Sequence, residues 1–363
     1  MIANRMKHID SSGIRKVFDL AKNMKNPVNL SIGQPDFDVP EEIKEEAIQS
    51  LKSGFNKYTV TQGIDELRQN ILQKLKQERG VDAEDIMITS GVSGGIFLAF
   101  MTLLNPGDEV LVPDPYFVMY KHLLNLLGAI PVYIDTYPHF ELTAEMITPK
   151  LSRKTKLILV NSPSNPTGVS LMEKNIKEIA KLANERQIMI LSDEIYSSFS
   201  YDTPFTSIGR FSPSTLVLDG FSKSFAMTGW RLGFAAGPKE IIQAMVKLQQ
   251  FSFVCAPSFA QKAALKALDY DMSSHIATYK KKRNLIYEGL KRKFEVILPG
   301  GAFYIFPKSP FDDGDLFVKK AIEKNLLIIP GSVFSERKSH FRISFAASDE
   351  VLTKGIEILN QMV

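Results

Sequence analysis

Residues 156–194 read KLILVNSPSNPTGVSLMEKNIKEIAKLANERQIMILSDE. An aliphatic run (156–160), a loop, a stretch with helical spacing (172–186) and a second aliphatic run ending in carboxylates (188–194) make one strand–helix–strand unit. Strands joined through a helix run parallel, and a parallel sheet is buried on both faces, so near-continuous aliphatic runs are what it requires.

The same alternation extends in both directions. DIMIT (85–89) precedes the helical GGIFLAFMTLL, EVLVP (109–113) precedes YFVMYKHLLNLLG, and IPVYID and TLVLDG (215–220) supply further strands. The expected fold class is α/β, with a large domain built on a mostly parallel, doubly wound sheet. The pattern lapses at the ends. The amino end holds one helix, GIRKVFDLAKNM (13–24), and the loop IGQPDFDVP (32–40); the carboxyl end holds a long helix (275–294), short strands around AFYIF and FRISFA, and a last helix. Both ends are expected to join as a smaller α+β domain, residues 1–40 and 276–363, beside a large domain of residues 41–275. Such a split places the site in an interdomain cleft, at the carboxyl ends of the strands.

Composition narrows the function. The chain has 363 residues, 44% hydrophobic and 23% charged, with a net charge of +4 spread over many predicted helix faces. No basic block suggests nucleic acid or a membrane surface. The one cysteine, Cys255, excludes an internal disulfide and fits a reducing compartment, and no apolar run is long enough to span a bilayer. A cytoplasmic protein is expected. The five histidines show no metal-ligand spacing.

Three stretches carry chemistry. LDGFSKSFAMTGWRLGF (218–234) sets Lys223 between Ser222 and Ser224 in apolar surroundings, with Arg231 eight residues on and Gly229 and Gly233 allowing close backbone approach. A desolvated lysine near other cations loses proton affinity and becomes a nucleophile suited to Schiff bases, while a fixed arginine suits a phosphate. An aldehyde that bears a phosphate answers both. IMILSDEIY (188–196) ends a buried strand on Asp193 and Glu194, followed by Tyr196, a costly placement unless a cation meets the carboxylates; an exposed acidic turn is the plain alternative. VNSPSNPTG (160–168) is a turn-rich loop at another strand end, either a plain connection or a rigid mount for two amides.

NSPSNPTG, SDEIY, SKSFAMTGWRLGF and FRISFA, in this order and over essentially the whole chain, resemble the class I/II pyridoxal-phosphate-dependent aminotransferases of fold type I. The resemblance implies that Lys223 holds the cofactor as a Schiff base and moves the proton, that Asp193 pairs with the pyridine nitrogen, and that Tyr196 and Asn165 donate to the ring oxygen. Ser222 and Arg231 match phosphate ligands. TSGVSGG (89–95) matches the phosphate loop, with the amides of Val92 and Ser93 at a helix N-terminus, an anion site by geometry and dipole. Phe117 matches the aromatic that stacks on the ring, Arg342 the arginine that grips the substrate α-carboxylate, and Gly33, in a mobile loop, a backbone contact to that carboxylate. Tyr58, in KYTVTQG (57–63), matches the tyrosine that reaches the phosphate of a second subunit, which implies a homodimer.

The implied activity is transfer of an amino group from an L-amino acid to a 2-oxo acid by a ping-pong mechanism, with β-elimination as an alternative use of the same parts. No arginine is assignable to a second, distal carboxylate, and Tyr116, Phe117, Phe251, Phe253 and Tyr304 suggest an aromatic-rich wall that accepts an apolar side chain, with core packing the plainer reading of Tyr116. From another class, Gly91, Ser93 and Gly95 spell the G-x-S-x-G elbow of a serine hydrolase, a reading that leaves Lys223, Arg231 and the NSPSNPTG loop without a role.

Overall fold

The structure, a computed structural model, describes residues 1–10, 13, 14, 17 and 24–363. The helix expected over 13–24 lies largely outside the described residues. After a short strand β1 (Val28–Asn29), seven strands form the central sheet: β2 (Asp85–Ser90), β3 (Glu109–Asp114), β4 (Ile130–Asp135), β5 (Thr155–Asn161), β6 (Met189–Asp193), β7 (Thr215–Gly220) and β8 (Leu232–Gly237). Their spatial order is β2-β8-β7-β6-β5-β3-β4, and every pairing is parallel except those of β8, which runs antiparallel to both neighbours. The expected mostly parallel sheet is therefore present. The strand β8 was not read from the sequence, because LGFAAG lacks the β-branched residues that mark its neighbours.

Alternation along single strands shows why both faces are covered. Val110, Val112, Leu157, Leu159 and Leu191 enter one apolar cluster. Their sequence neighbours Leu111, Ile158, Val160 and Ile190 enter another. A strand whose odd and even residues both need burial cannot face water on either side. The second cluster is closed by Ile176, Ile179, Ala180 and Ala183, one stripe of the helix Glu173–Arg186.

The chain ends supply the rest. Strands β9 (Tyr304–Ile305), β11 (Ile329–Pro330) and β12 (Phe341–Ser344) form a three-stranded antiparallel sheet, and β10 (Leu326–Leu327) pairs in parallel with β1. The first apolar cluster continues from the central sheet into Phe303, Tyr304, Phe341 and Phe345, so one core supports both sheets.

Register places the chemistry. Asn161 ends β5 directly beside Asp193 at the end of β6. The antiparallel pair β7–β8 closes with Gly220 opposite Gly233, where a Cβ on Gly220 would lie 2.7 Å from the Gly233 Cα. The connection from 221 to 231 leaves and returns beside this pair of glycines, and Lys223 and Arg231, eight apart in sequence, line one cavity.

Candidate active site

A cavity of about 270 Å³ opens at the carboxyl ends of the strands, lined in part by Lys223, Asp193, Arg231 and Arg342. Of the residues singled out in the sequence, Gly33, Val92, Ser93, Phe117, Asn165, Tyr196 and Ser222 also line it. Tyr58 does not: it is 84% exposed, in the loop between the helices Glu41–Lys52 and Asp65–Arg79. Of the expected aromatic wall only Phe117 and Tyr304 reach the cavity. Tyr116 is buried against Tyr133 and donates to Glu336 Oε1 at 2.6 Å, while Phe251 and Phe253 are exposed, so those three are corrected out of the wall.

At the carboxylate pole, Asp193 is 3% exposed. Its Oδ2 accepts the hydroxyl proton of Tyr120 at 2.6 Å, and Asn161 Nδ2 donates to its backbone carbonyl at 3.0 Å. Burial raises the Asp193 carboxyl from the ordinary 3.8 to about 6 despite the Tyr120 hydrogen bond. The exposed acidic turn is ruled out, since both Asp193 and Glu194 are buried. Tyr120 and Asn161 are site residues that sequence reading missed. Tyr120 lies three residues past Phe117, a spacing that brings both to one end of the helix Val118–Leu127, and that spacing is the only signal the sequence offered.

At the amine pole, half-buried Lys223 donates from Nζ to the Gly33 carbonyl at 2.6 Å. Burial first, then Arg342 and Arg231, lower its amine from 10.5 to about 8, against the pull of Asp193. A larger neutral fraction is thus present near physiological pH than an ordinary lysine has.

At the anion pole, Gly91–Leu103 is a helix with no side-chain cap at its start among the described residues, and its first turn carries Val92 and Ser93. Arg231, in the left-handed region at φ 56°, turns its guanidinium over this turn and donates to the Thr228 carbonyl at 2.9 Å. Gly91 has φ +69°, and a Cβ there would lie 2.5 Å from Arg231 Nη2. Only glycine lets the cation sit against the helix start.

Across the cavity, Arg342 of β12 is 1% exposed and sandwiched between the rings of Tyr304 and Phe334, each 4.6 Å from its guanidinium carbon. Its Nη1 donates to Asn165 Oδ1 at 3.0 Å and its Nη2 to the Ser31 carbonyl at 2.8 Å, while its buried Nε has no partner among the described residues. The Tyr196 and Tyr304 hydroxyls meet at 2.8 Å. No histidine lines the cavity among the described residues, so the Ser-His pairing that the hydrolase reading needs gains no support.

Comparison with known proteins decides the family. The profile of aminotransferase class I and II matches residues 25–359. The chain belongs to this family. It is 40% identical, over the full length of both chains, to a probable aspartate aminotransferase of Methanocaldococcus jannaschii. It is 37% identical to aromatic-amino-acid aminotransferase 2 of Thermococcus litoralis, with 100% of this chain and 98% of that protein covered. The solved aspartate aminotransferase of Thermus thermophilus with maleate superposes with a TM-score of 0.95 at 33% identity, covering both chains completely. This class I/II chain is an enzyme of amino-group transfer with the α/β fold of that family.

Proposed function

We propose that this aminotransferase uses pyridoxal phosphate held in the cavity at the strand ends, and that it moves the amino group of an L-amino acid to a 2-oxo acid in two half-reactions. The observation that carries the reading is the convergence of Lys223, Asp193 and Arg231 on one cavity with Arg342 opposite. The residues fit the cofactor by their chemistry. The uncapped helix start and Arg231 suit a dianion, buried Asp193 suits a protonated ring nitrogen, and the orphaned Nε of Arg342 signals an acceptor still to come.

Pyridoxal phosphate, when bound, supplies the aldehyde that captures an amino group and a ring that withdraws electrons from it. Val92 and Ser93 amides, Ser222 and Arg231 would hold its phosphate, Phe117 would cover the ring, and Asp193 would keep a proton at the ring nitrogen. Tyr196 and Asn165 would orient the ring edge. Lys223 would take the α-proton of the amino acid onto Nζ and hold it for return to the opposite end of the transferred nitrogen, a role that needs the amine neutral and therefore benefits from its lowered proton affinity. Arg342 holds the α-carboxylate, with Gly33 beside it, so that the α-proton faces Nζ.

The division into a large unit (41–275) and a smaller one (1–40 with 276–363) belongs to the same reading, supported by the pairing of β1 with β10. So does a homodimer in which Tyr58 reaches the phosphate of a second copy, supported by the exposure of Tyr58 and Val60 on one loop. No helix is long and apolar enough to cross a membrane among the described residues, and a cytoplasmic setting accords with Cys255 being free. The test is an absorbance scan of protein loaded with pyridoxal phosphate. A visible band that some amino acids convert to a near-ultraviolet band, with release of the matching 2-oxo acid, supports the reading. Protein that stays colourless with the cofactor contradicts it, and pyruvate with ammonia from a β-substituted donor would indicate elimination instead.

A further inference from the structure

Two more acidic groups lie buried behind the site. Glu194 follows Asp193 and is fully buried; Asp219, in β7, is 3% exposed. One guanidinium serves both: Arg79 Nη1 lies 3.1 Å from Glu194 Oε2 and 2.7 Å from Asp219 Oδ2. The Gly220 amide donates to Asp219 Oδ1 at 2.6 Å, and hydroxyls fill the remaining positions. Ser192 and Ser207 donate to Glu194 Oε1 at 2.9 and 2.5 Å, Ser197 donates to Asp219 Oδ2 at 2.9 Å, and Arg79 Nη2 donates to Ser197 Oγ at 2.9 Å. Arg79 is the last residue of the helix Asp65–Arg79, an end that favours a cation.

The members of this cluster are chain neighbours of the site. Glu194 adjoins Asp193, Ser197 adjoins Tyr196, and Asp219 stands four residues before Lys223. Ser224, next to Lys223, donates to Ser198 Oγ at 2.9 Å. Arg79 therefore clamps the ends of β6 and β7, the two strands that present Asp193 and Lys223. When Glu194 is ionised the charge balance is uneven, because two carboxylates then share one guanidinium among the described residues. Asp219 pushes the Asp193 carboxyl upward, and burial takes Glu194 up to about 7. On the cavity side Tyr120 and Lys223 face Asp193, and on the outer side Lys74 and Glu78 rim a depression that Arg79 and Asp219 also line.

We propose that Arg79 is a positioning residue of this active site: paired with Glu194 and Asp219, it aligns the ends of β6 and β7 and sets the charge behind Asp193 and Lys223. The inference rests on the pyridoxal-phosphate reading above. A buried net negative charge favours protonated neighbours, and the single guanidinium limits how large that charge becomes.

The experiment compares Arg79→Met, Asp219→Asn and the double variant with wild type, each loaded with pyridoxal phosphate. It reads the pH midpoint of the visible absorbance change and, separately, the thermal midpoint. Arg79→Met makes the cluster more negative and raises the pH midpoint by about half a unit; Asp219→Asn lowers it by a similar amount. The double variant removes one charge of each sign, so its pH midpoint returns to the wild-type value although its thermal midpoint does not. Equal pH midpoints in all four proteins, or shifts in the same direction in both single variants, overturn the inference. If Arg79→Met fails to fold, the near-isosteric Asp219→Asn decides alone: a downward shift supports the proposal and no shift overturns it. Failure of wild type to take up the cofactor would instead defeat the parent reading.

Discussion

Tyr120 donates its hydroxyl to Asp193 Oδ2 at 2.6 Å, and both side chains are buried. Burial and the Asp193 charge hold the Tyr120 hydroxyl well above its ordinary range, so it stays a donor at any working pH. The bond fixes which way the carboxylate turns. Tyr120→Phe leaves Oδ2 without its partner and is expected to weaken pyridoxal-phosphate affinity by about tenfold, the value of one hydrogen bond to a charged group. Equilibrium dialysis of wild type and variant checks this, and equal affinities would show that the hydroxyl does not orient Asp193.

The lowered proton affinity of Lys223 predicts a pH dependence of the cofactor-free protein. Its amine titrates near 8 in the fold and near 10.5 when unfolded, so between those values the unfolded chain binds the extra proton. Stability therefore rises with pH across that window as far as this group is concerned, and below about 8 the fold carries the full cost of a desolvated cation. Lys223→Met, without cofactor, is expected to be more stable than wild type at neutral pH, with the difference shrinking between about pH 8 and pH 10.5. Urea melts at the two pH values measure it.

Gly91 is predicted to be indispensable for the anion pole. Gly91→Ala puts a Cβ 2.5 Å from Arg231 Nη2 and adds strain at φ +69°. The guanidinium must move off the helix start. Cofactor affinity is expected to fall by at least about tenfold while far-ultraviolet circular dichroism stays native. Inorganic phosphate is expected to compete for the same pole and to lose affinity in parallel.

Arg342 can be separated from Lys223 by kinetics. Arg342→Lys keeps a cation but not the planar fork held between Tyr304 and Phe334. The expected result is a KM for amino acids raised by about a hundredfold, with cofactor affinity near normal. A fall in kcat alone would place Arg342 elsewhere in the reaction.

Much of the fold was legible because buried parallel strands must be aliphatic on both faces; 156–160 and 188–194 could hardly be anything else. Lys223 stood out for a similar reason, as a cation where the surrounding pattern demands apolar groups. Tyr120 did not, because an aromatic at helical spacing looks the same whether it packs or donates. Arg79 was invisible as a partner of Glu194, since 115 residues separate them and only the fold brings a helix end to a strand end. The aromatic wall was over-read at Phe251 and Phe253, where residue type suggested a lining that exposure denies.

The central claim is that Lys223 carries the proton in an amino-group transfer. The direct measurement follows an isotopically labelled amino nitrogen from a donor amino acid into the product formed from an unlabelled 2-oxo acid, using wild type and Lys223→Ala loaded with pyridoxal phosphate. Labelled product from wild type, and at least about a hundredfold less from the variant with its fold intact, is the result predicted. Equal label transfer by the two proteins would contradict the role assigned to Lys223, and no transfer by wild type with any donor would contradict the function itself.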